Sequence, residues 1–375
     1  MFRPQIQKTY ILFLLAVIIM SMVYWATNSY ERHKTYGFAI KVKAAEIMQD
    51  AINSLRSDFI NLNINSGQDS LAFGSFLIGP ETSIIQTTHG SIKSKLSTLN
   101  PDFASMIVEM FIELDLDSTS QIAVSYTGSY PGANIALLSA LEAMNLNAVL
   151  ISSCGSSQWG ATNPNMTWID LEGLLYSNNF FTNKSHVGSI GGGDDFGSQL
   201  SLKGKKACES SIYKNKLEPI YLDNQTDNVN YRMNYFNSFR GMNELDLFIN
   251  VGGGIFTVGD SLKRSQLPFG IIYPDDVAIE LDENKTVLES FLDISVPVIN
   301  INHIESLTEL YGLPYPHNNK NRIKDGALFY SQKKYNFKVI LMAFIISAGL
   351  VFFVGIISHR EIKKRMHSSE PESIL

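Results

Sequence analysis

Two runs without a single charged side chain constrain this chain more than any other feature of its 375 residues. Residues 10–27 read YILFLLAVIIMSMVYWAT, and residues 339–358 read VILMAFIISAGLVFFVGIIS. Each approaches the ~20 apolar residues a helix needs to cross ~30 Å of hydrocarbon. Arg3 and Lys8 precede the first run, and Tyr24 and Trp25 stand where an interfacial aromatic belt belongs. A cleaved signal peptide is the rival reading; the long apolar stretch and the lack of a clean small-x-small site favour an uncleaved anchor. Lys338 precedes the second run, and Arg360, Lys363, Lys364 and Arg365 follow it, which marks a cytoplasmic tail by the positive-inside rule. Arg32, Lys34, Lys333 and Lys334 flank the inner ends, so the charge bias is not one-sided. The predicted layout is a cytoplasmic N-terminus (1–9), a transmembrane helix (10–27), an extracytoplasmic domain (28–337), a second transmembrane helix (338–358) and a basic cytoplasmic tail (359–375). That is a two-pass protein of the plasma (inner) membrane with both termini inside.

Composition agrees with this layout. Hydrophobic residues are 45% and charged residues 18%, which excludes a disordered chain. A mean hydropathy of +0.02 is high for a purely soluble protein and too low for a polytopic one, so the excess sits in a few places. With +2 on residues 1–9 and +1 on residues 359–375, the overall −6 leaves −9 on the segment between them. An acidic exported domain gives no reason to expect nucleic acid and does not hold a long polyanion by bulk attraction. Two cysteines are too few for a disulfide scaffold or a closed structural zinc site.

Between the runs the pattern alternates. Ile47, Ala51, Leu55 and Phe59 form one stripe of a stalk helix over 44–59. Residues 60–80 read as loop, and Phe103, Ile107, Met110 and Phe111 mark a helix over 101–114 that starts at Asn100-Pro101. Then QIAVSY (121–126) is a short strand, GSYPG (128–132) a tight loop, ANIALLSALEAMN (133–145) a buried helix and AVLI (148–151) a second strand. Further strands are predicted near 185–190, 219–222, 245–251 and 296–301, with helices near 165–177, 198–215 and 304–311. Residues 268–290 read as an acidic hairpin insertion, and 313–337 as a linker back to the membrane. The fold class is therefore α/β, a mostly parallel sheet of repeated βαβ units with its core over about 80–312, flanked by the two transmembrane helices.

In open parallel sheets ligands bind at the carboxyl ends of the strands. Four loops there are rich in glycine and hydroxyls: 127–132, 152–162, 191–197 and 252–259. Turn-rich connections are the ordinary explanation for one such loop; four, with two Gly triplets, point to a shared anion or oxyanion site. Its expected ligand-binding residues are Gly128, Gly155, Ser157, Trp159, Gly191, Gly192, Gly193, Gly252 and Gly253. There is no G-x-x-x-x-G-K-[ST], G-x-G-x-x-G, G-x-S-x-G or H-E-x-x-H motif, and no cofactor or metal is expected.

Strand-end nucleophile candidates are Ser129, Ser153, Cys154, Ser156 and Ser157, of which Ser129 and Ser156 lead. A serine needs a neighbouring base, for which His89 and His186 are the candidates, with Asp194 or Asp195 in support. For either histidine a surface or packing role is the bland alternative. Asp170, in Thr167-Trp168-Ile169-Asp170, fits a helix-start carboxylate better than a catalytic one. Cys154 and Cys208 leave open a disulfide, two free thiols or a reactive Cys154. Lys203, Lys205, Lys206, Lys214 and Lys216 form a solvated face or a local carboxylate-binding patch.

The run GSYPGANIALLSALEAMNLNAVLISSCGSSQWGATNPNMTWIDLEGLL (128–175) resembles the core of the proteins called poly-gamma-glutamate system protein. Those carry an N-terminal anchor, a G-S-[FY]-P loop, an S-S-x-G-[AS]-S-x-W-G-A loop, a T-W-[IL]-D helix start and a later G-G-G-x-D. Ser129, Pro131, Gly155, Trp159, Gly160, Ala161, Trp168, Asp170, Gly191, Gly192, Gly193 and Asp195 match that pattern. The similarity runs from the helix at Ala44 to about Gly312 and is specific within 128–195. Cys154 departs from the small apolar residue of the pattern, which counts against a catalytic cysteine. The resemblance brings no catalytic assignment. It implies an accessory protein of poly-γ-glutamate synthesis, export or processing, with partners in the membrane subunits of the synthesis complex, the polymer and the lipid bilayer. Two other classes stay open: a serine-type hydrolase or transferase acting on the polymer or another envelope substrate, and a non-catalytic structural or sensory subunit.

Overall fold

The chain divides into two units, Met1–Lys34 with Tyr330–Leu375, and Thr35–Phe329. The computed structural model describes residues 9–62, 64, 73–222, 224–238, 245–276, 285–317, 326–331 and 333–368. Arg3, Lys8, part of the 60–80 loop, Glu280, Asp282 and Glu283 of the expected insertion, residues 318–325 and 332 of the expected linker, and the tail after 368 lie outside the described residues.

The first unit opens with α1 (Thr9–Asn28) and β1 (Tyr30–Glu31). The second begins with α2 (Phe38–Asn61), followed by α3 (Ile92–Ser97) and α4 (Asp102–Glu113). The chain continues through β2 (Gln121–Thr127), α5 (Pro131–Met144), β3 (Asn147–Ser153), α6 (Trp168–Ser177), β4 (Val187–Ser189), α7 (Leu202–Lys214) and β5 (Glu218–Pro219). Then come α8 (Gln225–Ser238), β6 (Leu247–Val251), α9 (Ile255–Val258), α10 (Ser261–Gln266), β7 (Gly270–Ile272), α11 (Val287–Asp293), β8 (Val298–Ile301) and α12 (Ile304–Leu310). The chain returns to the first unit with β9 (Lys334–Tyr335) and α13 (Phe337–Ser368).

In the first unit β1 and β9 pair antiparallel, and Tyr30 stacks on Tyr335 at 5.1 Å. α1 and α13 pack on each other. Tyr10–Asn28 and Phe337–Lys364 are long and apolar enough to cross a membrane. Phe13, Met20, Phe344 and Phe352 are among their most exposed side chains. α13 outlasts the predicted span, so the basic residues after position 358 continue the same helix.

The second unit is mixed α/β around a seven-stranded sheet of order β5-β4-β3-β2-β6-β8-β7. Every pairing is parallel except β7 with β8, at the edge. Every residue of β6, LFINV, is buried, as a strand covered on both faces requires. On one side of β6, Phe248 stacks on Phe291 at 4.5 Å, with Phe236 of α8 against both. Elsewhere α2, α4 and α5 pack on one another. α5 is buried nearly all round and starts with Pro131 at its first turn, where a missing N–H is harmless.

Several sequence expectations shift. α2 is an integral part of this unit: Lys41, Ala44, Ala45, Met48, Ala51, Ile52, Leu55 and Phe59 are buried. Ile47 is half-buried, because a strict four-residue step drifts off a helix face that turns every 3.6 residues. The Lys41 ammonium is buried with Glu109, Thr35 Oγ1 (3.1 Å) and the Leu328 carbonyl (3.0 Å), so residues 328–329 belong to the unit although they fall in the expected linker. The 268–290 segment supplies the edge strand β7 and the start of α11. α3 and α8 were not foreseen: one is short, and the other is polar except for a few buried side chains such as Val229 and Phe236.

Candidate functional site

Strand order reverses at β2. The chain steps outward through β3, β4 and β5, then crosses back to β6 on the other side of β2. At such a switch point the loops leaving the carboxyl ends of neighbouring strands diverge and leave a crevice. Here the crevice is a cavity of about 460 Å³. It is lined by Thr127 and Ser129 after β2, Ser153, Gly155 and Ser157 after β3, Gly191 to Gly193 and Asp195 after β4, and Gly253 and Gly254 after β6. All four glycine-rich loops meet there.

Each wall has a local cause. The segment 83–90 lies along the β3 loop: Thr87 N donates to Ser156 O (2.8 Å), and Gln158 N donates to Thr88 O (2.8 Å). This places His89 on the cavity lining, exposed. Cys154 and Cys208 form a disulfide that ties the same loop to α7, which settles the three alternatives for these cysteines. Gly191, Gly192 and Gly193 all have φ between +64° and +79°, a run that side chains with a Cβ resist. The N–H groups of Gly192 and Gly193 make no hydrogen bond among the described residues. On the far wall, Asn250 donates to Gly252 O (2.9 Å) and to Asn300 Oδ1 (2.8 Å), which holds the second triplet. Arg264 of α10 donates to Gly253 O (3.2 Å) and lies so close over Gly253 that a Cβ would collide with its guanidinium.

Asp195 lines the cavity but is only 5% exposed. It accepts from Ser189 Oγ (2.9 Å) and from Arg232 (2.5 Å), while Ser189 also bonds Ser153 Oγ (2.6 Å). Its carboxylate is thus committed to a buried ion pair. Ser129 Oγ accepts from Ser157 N (3.1 Å). Among the described residues no hydrogen bond joins His89 to Ser129 or to Asp195.

The remaining predicted residues lie elsewhere. Ser156 is fully buried, and its hydroxyl is spent on Gly128 O (2.8 Å) and Ser157 O (3.0 Å). His186 is exposed and immediately precedes β4, so it stands at the opposite, amino edge of the parallel sheet. Gly128, Trp159 and Gly252 support the loops without lining the cavity. Asp170 forms a capping box with Thr167 and also accepts from Lys214 (3.1 Å). None of Lys203, Lys205, Lys206, Lys214 and Lys216 lines the cavity.

Sequence reading did not single out Lys95. It is 1% exposed, its Nζ is 2.7 Å from Ser157 Oγ, and it sits 3.6 Å from the centre of the Tyr130 ring. Burial pushes the Lys95 ammonium well below its usual range, because no carboxylate is paired with it. Burial likewise pushes the Tyr130 phenol up to about 12, so it stays neutral at ordinary pH. Among the described residues no group of His, Cys, Asp and Glu is gathered to hold a metal ion. Compared with protein-family models, with curated proteins and with solved structures, the chain matches none.

Proposed function

We propose that this chain is a membrane-anchored accessory protein of poly-γ-glutamate synthesis, export or processing. Its α/β unit works outside the cytoplasm and binds γ-linked carboxylates in the strand-end cavity. The observation that carries the reading is the lining: unpaired glycine N–H groups and the Arg264 guanidinium on a hydroxyl-rich wall. Such groups bind carboxylate through charge-assisted hydrogen bonds without the excess of lysines that a bulk polyanion site would need. The resemblance of residues 128–195 to the poly-gamma-glutamate system proteins supplies the polymer and the partners, namely membrane subunits of the synthesis complex. Three further features support the location. Two helices are apolar and long enough to span, basic residues such as Arg360, Lys363 and Lys364 follow the apolar run of the second, and the Cys154–Cys208 disulfide suits an oxidising compartment.

Calorimetric titration of the full-length protein in detergent micelles with oligo-γ-glutamate tests the binding. We expect binding that Arg264→Ala weakens at least tenfold, the scale of one charged hydrogen bond of about 1.5–3 kcal/mol. Equal affinity for α-linked oligoglutamate, or none for either, overturns the assignment. A deletion strain with unchanged polymer amount, length and attachment overturns the accessory role.

A further inference from the structure

A serine hydroxyl is a poor nucleophile until a base within about 2.6–3.2 Å takes its proton. Ser157 has such a neighbour in Lys95, at 2.7 Å. Ser157 lines the cavity, whereas Lys95 is sealed behind it at 1% exposure. The backbone N–H of Ser157 is held by Ser129 Oγ at 3.1 Å, and Lys95 Nζ sits over the Tyr130 ring, so the pair is fixed from both sides. The elements packed against α3 bring Glu142 on α5 and Glu305 and Glu309 on α12. Tyr315 bonds Ser94, and the N–H of His317 donates to Ser97. None of these groups forms an ion pair with Lys95. Burial without a counter-ion favours the neutral form of this amine, the form whose lone pair can accept a proton.

We propose that Ser157 is a catalytic nucleophile and Lys95 its general base, an acyl-transfer centre for an amide or ester carbonyl on an acidic substrate. In the first step the Ser157 proton moves to Lys95 Nζ while Oγ bonds the carbonyl carbon and the carbonyl oxygen takes up negative charge. The free N–H groups of Gly192 and Gly193 and the Arg264 guanidinium are the cavity's donors toward that charge. Collapse breaks the bond to the leaving nitrogen or oxygen, which takes the proton from Lys95. Water or an amine then attacks the seryl ester, gives its proton to Lys95 and displaces Oγ, which regains the proton. The products are a carboxylic acid or a new amide, and no oxidant or cofactor enters. The inference draws only its acidic substrate class from the function proposed above.

The test is fluorophosphonate labelling of the full-length protein in micelles, with the adduct mapped by mass spectrometry. We expect the adduct on Ser157, no labelling of Ser157→Ala, and at least 100-fold slower labelling of Lys95→Met and Lys95→Arg. His186→Gln, at the far edge of the sheet, should label at the parent rate. The rate for the unaltered protein should rise with pH and level off below the ordinary lysine range, which keeps the test decisive even if a Lys95 variant misfolds. Labelling at another serine, no labelling, full reactivity in Lys95→Met, or a rate that His89→Gln abolishes overturns the dyad. Because the probe carries no glutamate, a failed dyad with intact oligo-γ-glutamate binding, or the reverse, separates this inference from the proposed function.

Discussion

Lys95 and Asp195 show two ways of burying charge beside one cavity. Asp195 is ion-paired with Arg232, at 5% and 3% side-chain exposure. Removing one partner leaves the other an uncompensated buried charge, which typically costs about 3–5 kcal/mol. Arg232→Met should therefore lower the unfolding free energy by about that amount in urea denaturation, and a change below about 1 kcal/mol would contradict the pairing. Lys95 has no counter-ion, and burial favours its neutral form. Its folded pKa lies below the unfolded one, so between the two values the unfolded chain binds more protons. Stability attributable to Lys95 therefore rises with pH through that window and levels off above the ordinary lysine value. Lys95→Met should remove this slope and stabilise the protein at neutral pH, read as a higher melting temperature that no longer climbs toward pH 10. Neither residue's part was legible in sequence. Asp195 was visible as the acid after a glycine triplet, but its partner lies on an unforeseen helix. Lys95 sits in the run SIKSKLS (91–97), whose polar residues resemble any solvated turn.

Among the elements, those with strong local grammar were legible. α5 follows a strand and a tight G-S-Y-P loop, is apolar nearly throughout, and ends at Asn145 with φ of +56°. The Thr167–Asp170 capping box was readable from a four-residue pattern, and Thr167→Ala should cost about 1 kcal/mol of stability in denaturant titration. α8 was not legible, because its polar sequence buries only a few side chains such as Asn228, Val229, Arg232 and Phe236, and those matter only once β6 and α11 are beside them. The β3 loop is held by a covalent tie that spacing alone left open. Closing 54 residues, the Cys154–Cys208 bond is expected to contribute about 4 kcal/mol in the chain-entropy account. A Cys154→Ala/Cys208→Ala double variant should lose stability of that order. No shift in its unfolding midpoint would mean the loop is held by its hydrogen bonds to residues 85–88 instead.

For the whole molecule, the proposed topology puts the α/β unit on one side of a membrane and both ends of the chain on the other. Tyr213 is exposed in the α/β unit, and His367 is exposed at the end of α13. With both natural cysteines in a disulfide, a cysteine introduced at Tyr213 should react with an impermeant maleimide on intact cells, and one at His367 only after permeabilisation. The reverse pattern would invert the topology. The two apolar runs, the α/β class and the clustering of glycine at strand ends were all written in local composition, because apolar length, hydrophobic period and turn chemistry act over a few residues at a time. Which strands would be neighbours was not. The order β5-β4-β3-β2-β6-β8-β7 depends on contacts between residues far apart in the chain, and the crossover at β2 opens the cavity. That same folding left His186 at the wrong edge, spent the Ser156 hydroxyl on loop carbonyls, and set a buried lysine against Ser157. Residue type nominates a nucleophile, but only the packed structure supplies its neighbour, because activation depends on a few ångströms and on exclusion of water.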